Sequence, residues 1–577
     1  MSSAPSTGDR SGTAVYICHC GHNIAATVDV EAVAQSLEGR PGVALVRHYP
    51  YLCSRPGQDL IRQDLEAGRA ARVVVAACSP RMHEATFRKT VAEAGTNPYL
   101  FRHVNIREQC SWVHPDRAEA TAKAADLIEM GLARVRRQEP LEGSEAPVVP
   151  RALVLGGGPA GLASAADLAN MGLEVVLVEK GEHLGGRARE LGRSFPEGGA
   201  VGPWLDERVG EVERHPRVEV LLGSRLTAHD GSPGCYQGTL ETPSGSVTRE
   251  VGAIIVATGF ALYRPDDPEQ GRPELGYGSD PRIVTQQELE DRLRAGEETA
   301  PVTVEGKPVH SAAFLQCIGS RDQTTAGAHC SRTCCMVSVR QAEELQKRNP
   351  EARVQVVYMD LRAYARGAEE AYEQTARAGV LFRRGSASEI YPKGDNLAVR
   401  FEDTLLGRAE ELDADLVILA CGARPQPDTP ELAHTLHLAR SPDGFYLEAH
   451  PKLRPSETAS EGIYLAGACQ GPKTIDEAVS AGRAAAVKAA IPLLRGSIPV
   501  DPVVAEVEFD RCSGCSLCVE SCPVGAIAPL PHTARMTVDP ARCKGCGACA
   551  AVCPNNAAKL RHYRAEQLLA ELEAANR

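Results

Sequence analysis

Two stretches near the C-terminus, "CSGCSLCVESCPVG" and "CKGCGACAAVCPNN", constrain the fold more than any other feature of the 577 residues. Each reads C-x2-C-x2-C-x3-C-P, and the second duplicates the first. Soft, anionic thiolates at such short spacings let one loop wrap an iron–sulfur cube, while the fourth cysteine of each run reaches the neighbouring cube. The spacing predicts one [4Fe–4S] cluster on Cys512, Cys515, Cys518 and Cys553, and a second on Cys543, Cys546, Cys549 and Cys522. A structural zinc site is the competing use of such cysteines. Eight of them in two runs, each closed by proline (Pro523, Pro554), suit the bacterial ferredoxin pattern better.

The chain has 20 cysteines, five of them before residue 111. In a small secreted protein they would mean disulfides; in a long chain without an export signal, metal or redox work is the better reading. The first residues, "MSSAPSTGDRSG", are polar and lack a signal-peptide core, so they read as a disordered lead on a cytoplasmic protein. No apolar run reaches membrane length. A formal charge of -12 argues against nucleic acid as the main partner.

"RALVLGGGPAGLASAADLANMGLEVVLVEK" reads as strand, glycine turn, helix and second strand. Gly156, Gly158 and Gly161 form GxGxxG, with Pro159 and Ala160 opening the helix and Glu179 and Lys180 ending the second strand. The first glycine makes the turn, the second admits a pyrophosphate and the third lets helix pack on strand. The phosphates would meet the helix N-terminus, and Glu179 would accept from ribose hydroxyls. Further segments extend this to FAD: "EHLGGRARELG" with Gly186 and Arg187, "VGAIIVATGF" with Ala257, Thr258 and Gly259, and "GIYLAGACQGPKTIDEAVSAGRAAA" with Gly467, Ala468, Lys473 and Thr474. The last segment has no role in a plain NAD-binding domain, which is the competing reading. Ala468 or Cys469 stands where such flavoproteins usually have an acid.

Between the flavin segments a second nucleotide domain is expected. Its frame is present as "HSAAFLQ", a loop, "VSVRQAEELQKRN" and "ARVQVVYMD". The loop lacks GxGxxG and carries Cys317, Cys330, Cys334 and Cys335. Ligands of such folds sit at the carboxyl ends of strands, so these thiols would crowd the place of a nicotinamide nucleotide. A [4Fe–4S] cluster matches the ligand count. The alternatives are a redox-active disulfide, although an adjacent Cys–Cys pair closes only a strained ring, and inert buried cysteines. Either functional use removes the binding loop for NAD(P)H. Arg340, five residues after Cys335, is the candidate catalytic cation for stabilising reduced flavin, against the bland reading of an exposed helix arginine.

Residues 13–137 alternate strands and helices, with Cys18 and Cys20, Cys53, Cys78 and Cys110 after successive strands. In a parallel sheet those positions share one edge, so a further cluster on four of the five is expected. Cys20, Cys53, Cys78 and Cys110 are taken as ligands and Cys18 as the spare; the competing reading is a docking module with plain buried cysteines. "RRQEPLEGSEAPVVP" and "RGSIPVDPVV" read as linkers, and "RHYRAEQLLAELEAANR" as an amphipathic docking helix.

"CHCGHNIAATVDV", "VVVAACSPRMHEATF", "NIREQCSWVH", "LQCIGSRD", "CSRTCCM", "YMDLRAYARGAEEAY" and "LAGACQGPKTIDEA" resemble the A subunit of heterodisulfide reductase and its bacterial relatives, over residues 13–560. The resemblance implies one FAD, a cluster in the N-terminal domain, one at the cysteine loop and two in the ferredoxin. It implies an oxidoreductase component, a homodimer within a cytoplasmic complex, whose B- and C-like partners reduce a disulfide or similar acceptor. A hydrogenase, formate dehydrogenase or ferredoxin would be the electron donor or acceptor, and some relatives perform electron bifurcation. Alternatives are a self-sufficient flavin disulfide reductase using Cys334 and Cys335, and a non-catalytic relay scaffold. Two departures stand out: no second ferredoxin is inserted between Pro196 and Leu240, and Arg340 replaces the lysine expected in many relatives.

The fold class expected is multidomain α/β. It comprises a Rossmann-like cluster domain (13–137), a thioredoxin-reductase-like two-dinucleotide flavoprotein core and a C-terminal ferredoxin-like α+β domain (503–560). Within the core, the FAD domain occupies 150–300 and 425–492 around a nucleotide-domain-like insertion at 301–424. A C-terminal helix covers 561–577.

Overall fold

The apolar runs of the N-terminal region become the strands Thr13–Cys18, Val43–Tyr49, Arg72–Ala77 and Phe101–Asn105. They form one parallel sheet in the order second, first, third, fourth. The two inner strands are buried almost throughout, because a parallel sheet is covered on both faces by its crossover helices. Ile24, Leu37, Ile128 and Leu132 fill one side, and Leu52, Ile61, Phe87 and Val91 the other. Every loop that follows a strand therefore emerges at one carboxyl edge, and that is where the cysteines lie.

The computed structural model describes residues 12–195, 198–297, 299–323 and 327–576. The polar lead up to residue 11, and residues 324–326 of the cysteine loop, lie outside the described residues. The chain divides into two compact units, one running to Glu145 and resuming at Pro499, the other spanning Ala146–Ile498. Each stretch read as a linker contains a short strand, Ser144–Pro147 and Ser497–Val500.

In the first unit the C-terminal helix Ala565–Ala575 packs on the helix Arg117–Val135. Buried Arg134 donates to Glu571 Oε2 at 2.7 Å and to the His562 carbonyl at 3.0 Å. Its guanidinium also stands 4.1 Å from the centroid of Tyr563. The tail expected to dock does so on its own N-terminal domain. The ferredoxin segment has two antiparallel strand pairs, Ala505–Val507 with Ala558–Leu560 and Ile527–Pro529 with Met536–Val538, and one short helix in each half.

Two large sheets dominate the second unit, beside a three-stranded antiparallel sheet and smaller strand pairs. The first is five-stranded and parallel, in the order Ile463–Leu465, Ala253–Val256, Arg151–Leu155, Glu174–Val178, Val218–Leu221. The second has seven strands; Leu416–Cys421, Ser311–Ile318 and Arg353–Tyr358 lie parallel in its middle. Helices Pro159–Asn170 and Ile475–Arg495 approach so closely that a Cβ on Gly482 would lie 2.3 Å from the Ala160 carbonyl oxygen. Ser164 Oγ seals that crossing by donating to the Gly482 carbonyl at 2.9 Å.

Removing the buried cation that anchors the tail has a defined consequence. Arg134→Ala leaves Glu571 only its longer contact with Arg102, at 3.3 Å, and is expected to raise hydrogen exchange across residues 565–575 by about tenfold, equivalent to ~1.4 kcal/mol of local stability. Exchange at Val73–Ala77 should stay unchanged, as read by mass spectrometry.

Candidate cofactor sites

At the carboxyl edge of the five-stranded sheet the glycine turn is set by backbone contacts. Gly156 has φ +109°, and a Cβ there would lie 2.4 Å from the Ala257 carbonyl oxygen. A Cβ on Gly161 would lie 1.8 Å from the Gly156 oxygen. Gly158 differs: its Cβ would meet only the Gly186 Cα, at 4.0 Å, so the space before it is open. Gly185 N–H donates to the Gly157 carbonyl at 2.7 Å, which brings Gly186 and Arg187 to the turn. Gly259, with φ +70°, also faces open space. A dinucleotide pyrophosphate needs such a cradle of bare backbone at a helix N-terminus, and these residues fit FAD.

The flanking residues are similarly ordered. Glu179 accepts from Gly157 N–H and Gly181 N–H, each at 2.7 Å, which leaves lone pairs on both oxygens for ribose. Lys180 turns to Gln426 (3.1 Å) and Asp428 (3.4 Å). Arg187 lies 5.5 Å from the Phe260 centroid and donates to Gln287 at 3.2 Å. Ala466 N–H donates to the Val256 carbonyl at 2.9 Å, placing Gly467 and Ala468 beside Ala257 and Thr258. Cys469 points inward, its thiol on the Val256 carbonyl at 3.1 Å, so it does not stand in for the missing acid. Thr474 caps the helix Ile475–Arg495 through a reciprocal box with Glu477, and burial lowers the pKa of Lys473 beside it.

In the seven-stranded sheet, Cys317 breaks the register of its strand with φ +63°. Arg321 and Arg332 in the same loop also have positive φ, and each such residue costs about 1–3 kcal/mol. The surroundings hold that strain in place. Gly319 lies so tightly on Tyr263 that a Cβ would stand 2.2 Å from the ring, Ser320 and Ser331 share a hydrogen bond, and Ala423 N–H donates to Ser331 Oγ at 2.8 Å. The helix Cys334–Arg348 then begins on the cysteine pair. Cys317, Cys330, Cys334 and Cys335 interact electrostatically as one group. Burial pushes Cys317 up to about 12, and a hydrogen bond to Cys335 together with burial raises Cys334. Cys335, which receives that bond, is held down. Cys317, Cys334 and Cys335 are buried and Cys330 half-buried, so as thiolates they would need compensating positive charge, which a bound iron–sulfur cluster would supply. Arg332 was not singled out from sequence, although its place inside "CSRTCC" marked it. Its backbone N–H donates to Cys330 Sγ at 3.3 Å, while its guanidinium reaches the Pro472 carbonyl (2.9 Å) and Glu477 (2.7 Å).

Arg340 is not a free cation. It pairs with Glu290 and, at 3.2 Å, with Glu344. Glu290 also accepts from Gly192 N–H at 2.8 Å, so one carboxylate ties Arg340 to the end of the flavin segment 182–192. An ion-pair member stands where a catalytic cation was expected.

At the N-terminal sheet edge the thiols group differently from the set taken as ligands. Cys18, Cys20, Cys53 and Cys78 influence one another electrostatically, and Cys20 N–H donates to Cys18 Sγ at 3.3 Å. Cys110 is wholly buried, donates to the Ala120 carbonyl at 3.2 Å and senses only Lys123. The structure thus groups Cys18 with Cys20, Cys53 and Cys78, and sets Cys110 apart from them. The π-helical turn Arg107–Ser111 rotates its thiol into the core. Arg107 takes the vacant side, donating to Cys20 Sγ at 3.3 Å.

In the ferredoxin segment Cys512, Cys515, Cys518 and Cys553 line one cavity with Val507 and Met536. Cys549 senses Cys543, Cys546 and Cys522. Backbone N–H groups point at sulfur: Ala505 to Cys543 (3.4 Å), Ala526 to Cys522 (3.2 Å) and Ala557 to Cys553 (3.2 Å). Burial would raise Cys553, but four backbone N–H groups outweigh it and pull it down. Among the described residues no three His, Cys, Asp or Glu side chains are arranged to hold a single metal ion.

Comparison with known proteins follows the same division. The pyridine nucleotide-disulphide oxidoreductase family matches residues 150–482, and the 4Fe-4S dicluster domain matches 511–557. The CoB–CoM heterodisulfide reductase iron-sulfur A subunit, number 2, of Methanopyrus kandleri is 40% identical, over 89% of this chain and 90% of its own length. The A subunit of the H(2):CoB-CoM heterodisulfide,ferredoxin reductase of Methanothermobacter thermautotrophicus is 38% identical, over 97% of each chain. The chain belongs to the family of heterodisulfide reductase A subunits. As a member of that family it is an FAD-dependent iron–sulfur oxidoreductase that joins a flavin redox domain to a ferredoxin domain. Among its described residues no helix is long and apolar enough to cross a membrane.

The open space before Gly158 makes a clean test of the flavin cradle. Gly158→Val should fold with unchanged far-UV circular dichroism yet retain less than about a tenth of the wild-type FAD, read from absorbance of released flavin.

Proposed function

We propose that this protein carries four [4Fe–4S] clusters around one FAD and passes single electrons between an external donor and partner subunits that reduce a disulfide or similar acceptor. The observation that carries this reading is the grouping of Cys317, Cys330, Cys334 and Cys335 in the loop of a nucleotide-binding frame whose glycine cradle is missing. Bound FAD would exchange electron pairs for single electrons, and clusters would carry the single electrons. The ligand sets are Cys512, Cys515, Cys518 and Cys553; Cys543, Cys546, Cys549 and Cys522; the four loop cysteines; and Cys18, Cys20, Cys53 and Cys78. Gly156, Gly158, Gly161, Glu179 and Gly186 hold the dinucleotide.

The chain's own residues prepare these sites. Backbone N–H groups directed at sulfur stabilise the thiolate form and favour the reduced, more negative cluster. Arg332 holds the cysteine loop to the turn that bears Lys473 and Thr474, fixing the spacing between the two sites. Arg340 supports the flavin segment through Glu290. Relatives are named for hydrogen, formate and ferredoxin as redox partners and for the CoB-CoM heterodisulfide. B- and C-like subunits, in a complex holding two copies of this chain, suit the same role here.

A second use of Cys334 and Cys335, as a dithiol reducing a disulfide directly, draws on the lowered pKa of Cys335. Metal analysis separates the two. Protein purified without oxygen should hold about sixteen irons per FAD, and Cys334→Ser about twelve with FAD retained. Unchanged iron with one thiol fewer would instead support the dithiol. Cys18→Ser should likewise lose about four irons, and Cys110→Ser none.

A further inference from the structure

We infer that the carboxyl edge of the N-terminal sheet is a docking surface for an acidic protein that carries a one-electron centre. The inference deepens the proposed function, because it rests on a cluster held by Cys18, Cys20, Cys53 and Cys78.

Three observations converge. First, among the described residues before 146, the exposed large apolar side chains are Tyr51 (54%), Trp112 (58%) and Val113 (62%), and all three lie on this one edge. They adjoin the thiols. A Cβ on Gly21 would lie 2.8 Å from the Tyr51 hydroxyl, and Arg107 bridges Cys20 Sγ at 3.3 Å to the Trp112 ring at 4.8 Å. An apolar patch concentrated in one place marks an interaction site, whereas scattered residues would not. Second, Cys20 and Cys53 are only half-buried, so a centre held there lies close to solvent. Third, the charge is inverted. The chain carries -12 overall, yet the edge loops 19–23, 50–55, 78–83 and 106–114 hold Arg55, Arg81 and Arg107 against one acid, Glu108.

A small aromatic patch rimmed by cations over a redox centre suits a transient electron-transfer encounter. Such contacts bury little area and gain their rate from electrostatic steering. One electron would pass from the reduced carrier to the cluster, with no bond made or broken.

The test uses full-length protein and an oxidised two-[4Fe–4S] bacterial ferredoxin as the probe, with binding measured by calorimetry at low and high salt. Arg55→Glu combined with Arg81→Glu should weaken binding about tenfold at low salt and flatten its salt dependence. Trp112→Ala should weaken it at both salts. The matched reversal Arg62→Glu with Lys89→Glu, further along the helices Arg55–Glu66 and Pro80–Glu93 and away from the edge, should leave it unchanged. Equal affinity for all variants, each with full iron content, would overturn the docking surface while leaving the cluster intact. Cys18→Ser with undiminished iron would overturn the cluster reading instead. A wild-type dimer that Trp112→Ala converts to monomer in sedimentation would assign the patch to a second copy of this chain and also overturn the proposal.

Discussion

Thiolate ligands drawn from separate loops must be held at fixed positions in a largely apolar setting before any metal arrives. The rest of this structure depends on that constraint. A buried thiol resists ionisation, as Cys78, pushed up to about 12, and Cys317 both show. The fold offsets this with rigid strand ends, backbone N–H groups aimed at sulfur, and arginines placed beside the thiols. Cys20 and Cys317 are the cysteines with positive φ, and each lies where a parallel strand gives way to its loop. Strained backbone at such points persists because the surrounding contacts over-determine it.

The two kinds of site arise from one architectural device. In the five-stranded sheet the strand-to-helix turn is bare glycine backbone, so an anionic pyrophosphate can approach. In the seven-stranded sheet the same turn is a long loop with four cysteines, pinned by Ser331 and by Gly319 on Tyr263. Under the proposed function, the change from phosphate cradle to thiol group would be a change of redox partner, from hydride carrier to single-electron relay. Arg332 connects the two arrangements physically, with its backbone on the cysteine loop and its guanidinium on the cap of the flavin helix.

Much of this was legible in the sequence because spacing encodes it. The C-x2-C-x2-C-x3-C runs, the GxGxxG turn and the strand–loop–helix frame around Cys317 are local patterns, and local patterns survive without coordinates. What was not legible depended on rotation of side chains in three dimensions. Cys110 follows its strand as the other cysteines do, but a π-helical turn swings its thiol onto the Ala120 carbonyl, while Cys18 lies among Cys20, Cys53 and Cys78. Arg340 looked like a cation available to the flavin; Glu290, fifty residues earlier in the chain, claims it. The family comparison supplied the class of protein, whereas the proposal of Cys18 as the fourth N-terminal ligand rests on the geometry alone.

The central claim is that thiols have replaced a nicotinamide nucleotide site and left the flavin to one-electron partners. Anaerobic stopped-flow reduction of the holoprotein tests it most directly, with NADH in one syringe and reduced methyl viologen in another. The account predicts rapid bleaching of the flavin band near 450 nm by the viologen and none by NADH on the same timescale, within roughly the 1–1,000 turnovers per second usual for enzymes. Saturable bleaching by NADH at such a rate would contradict it.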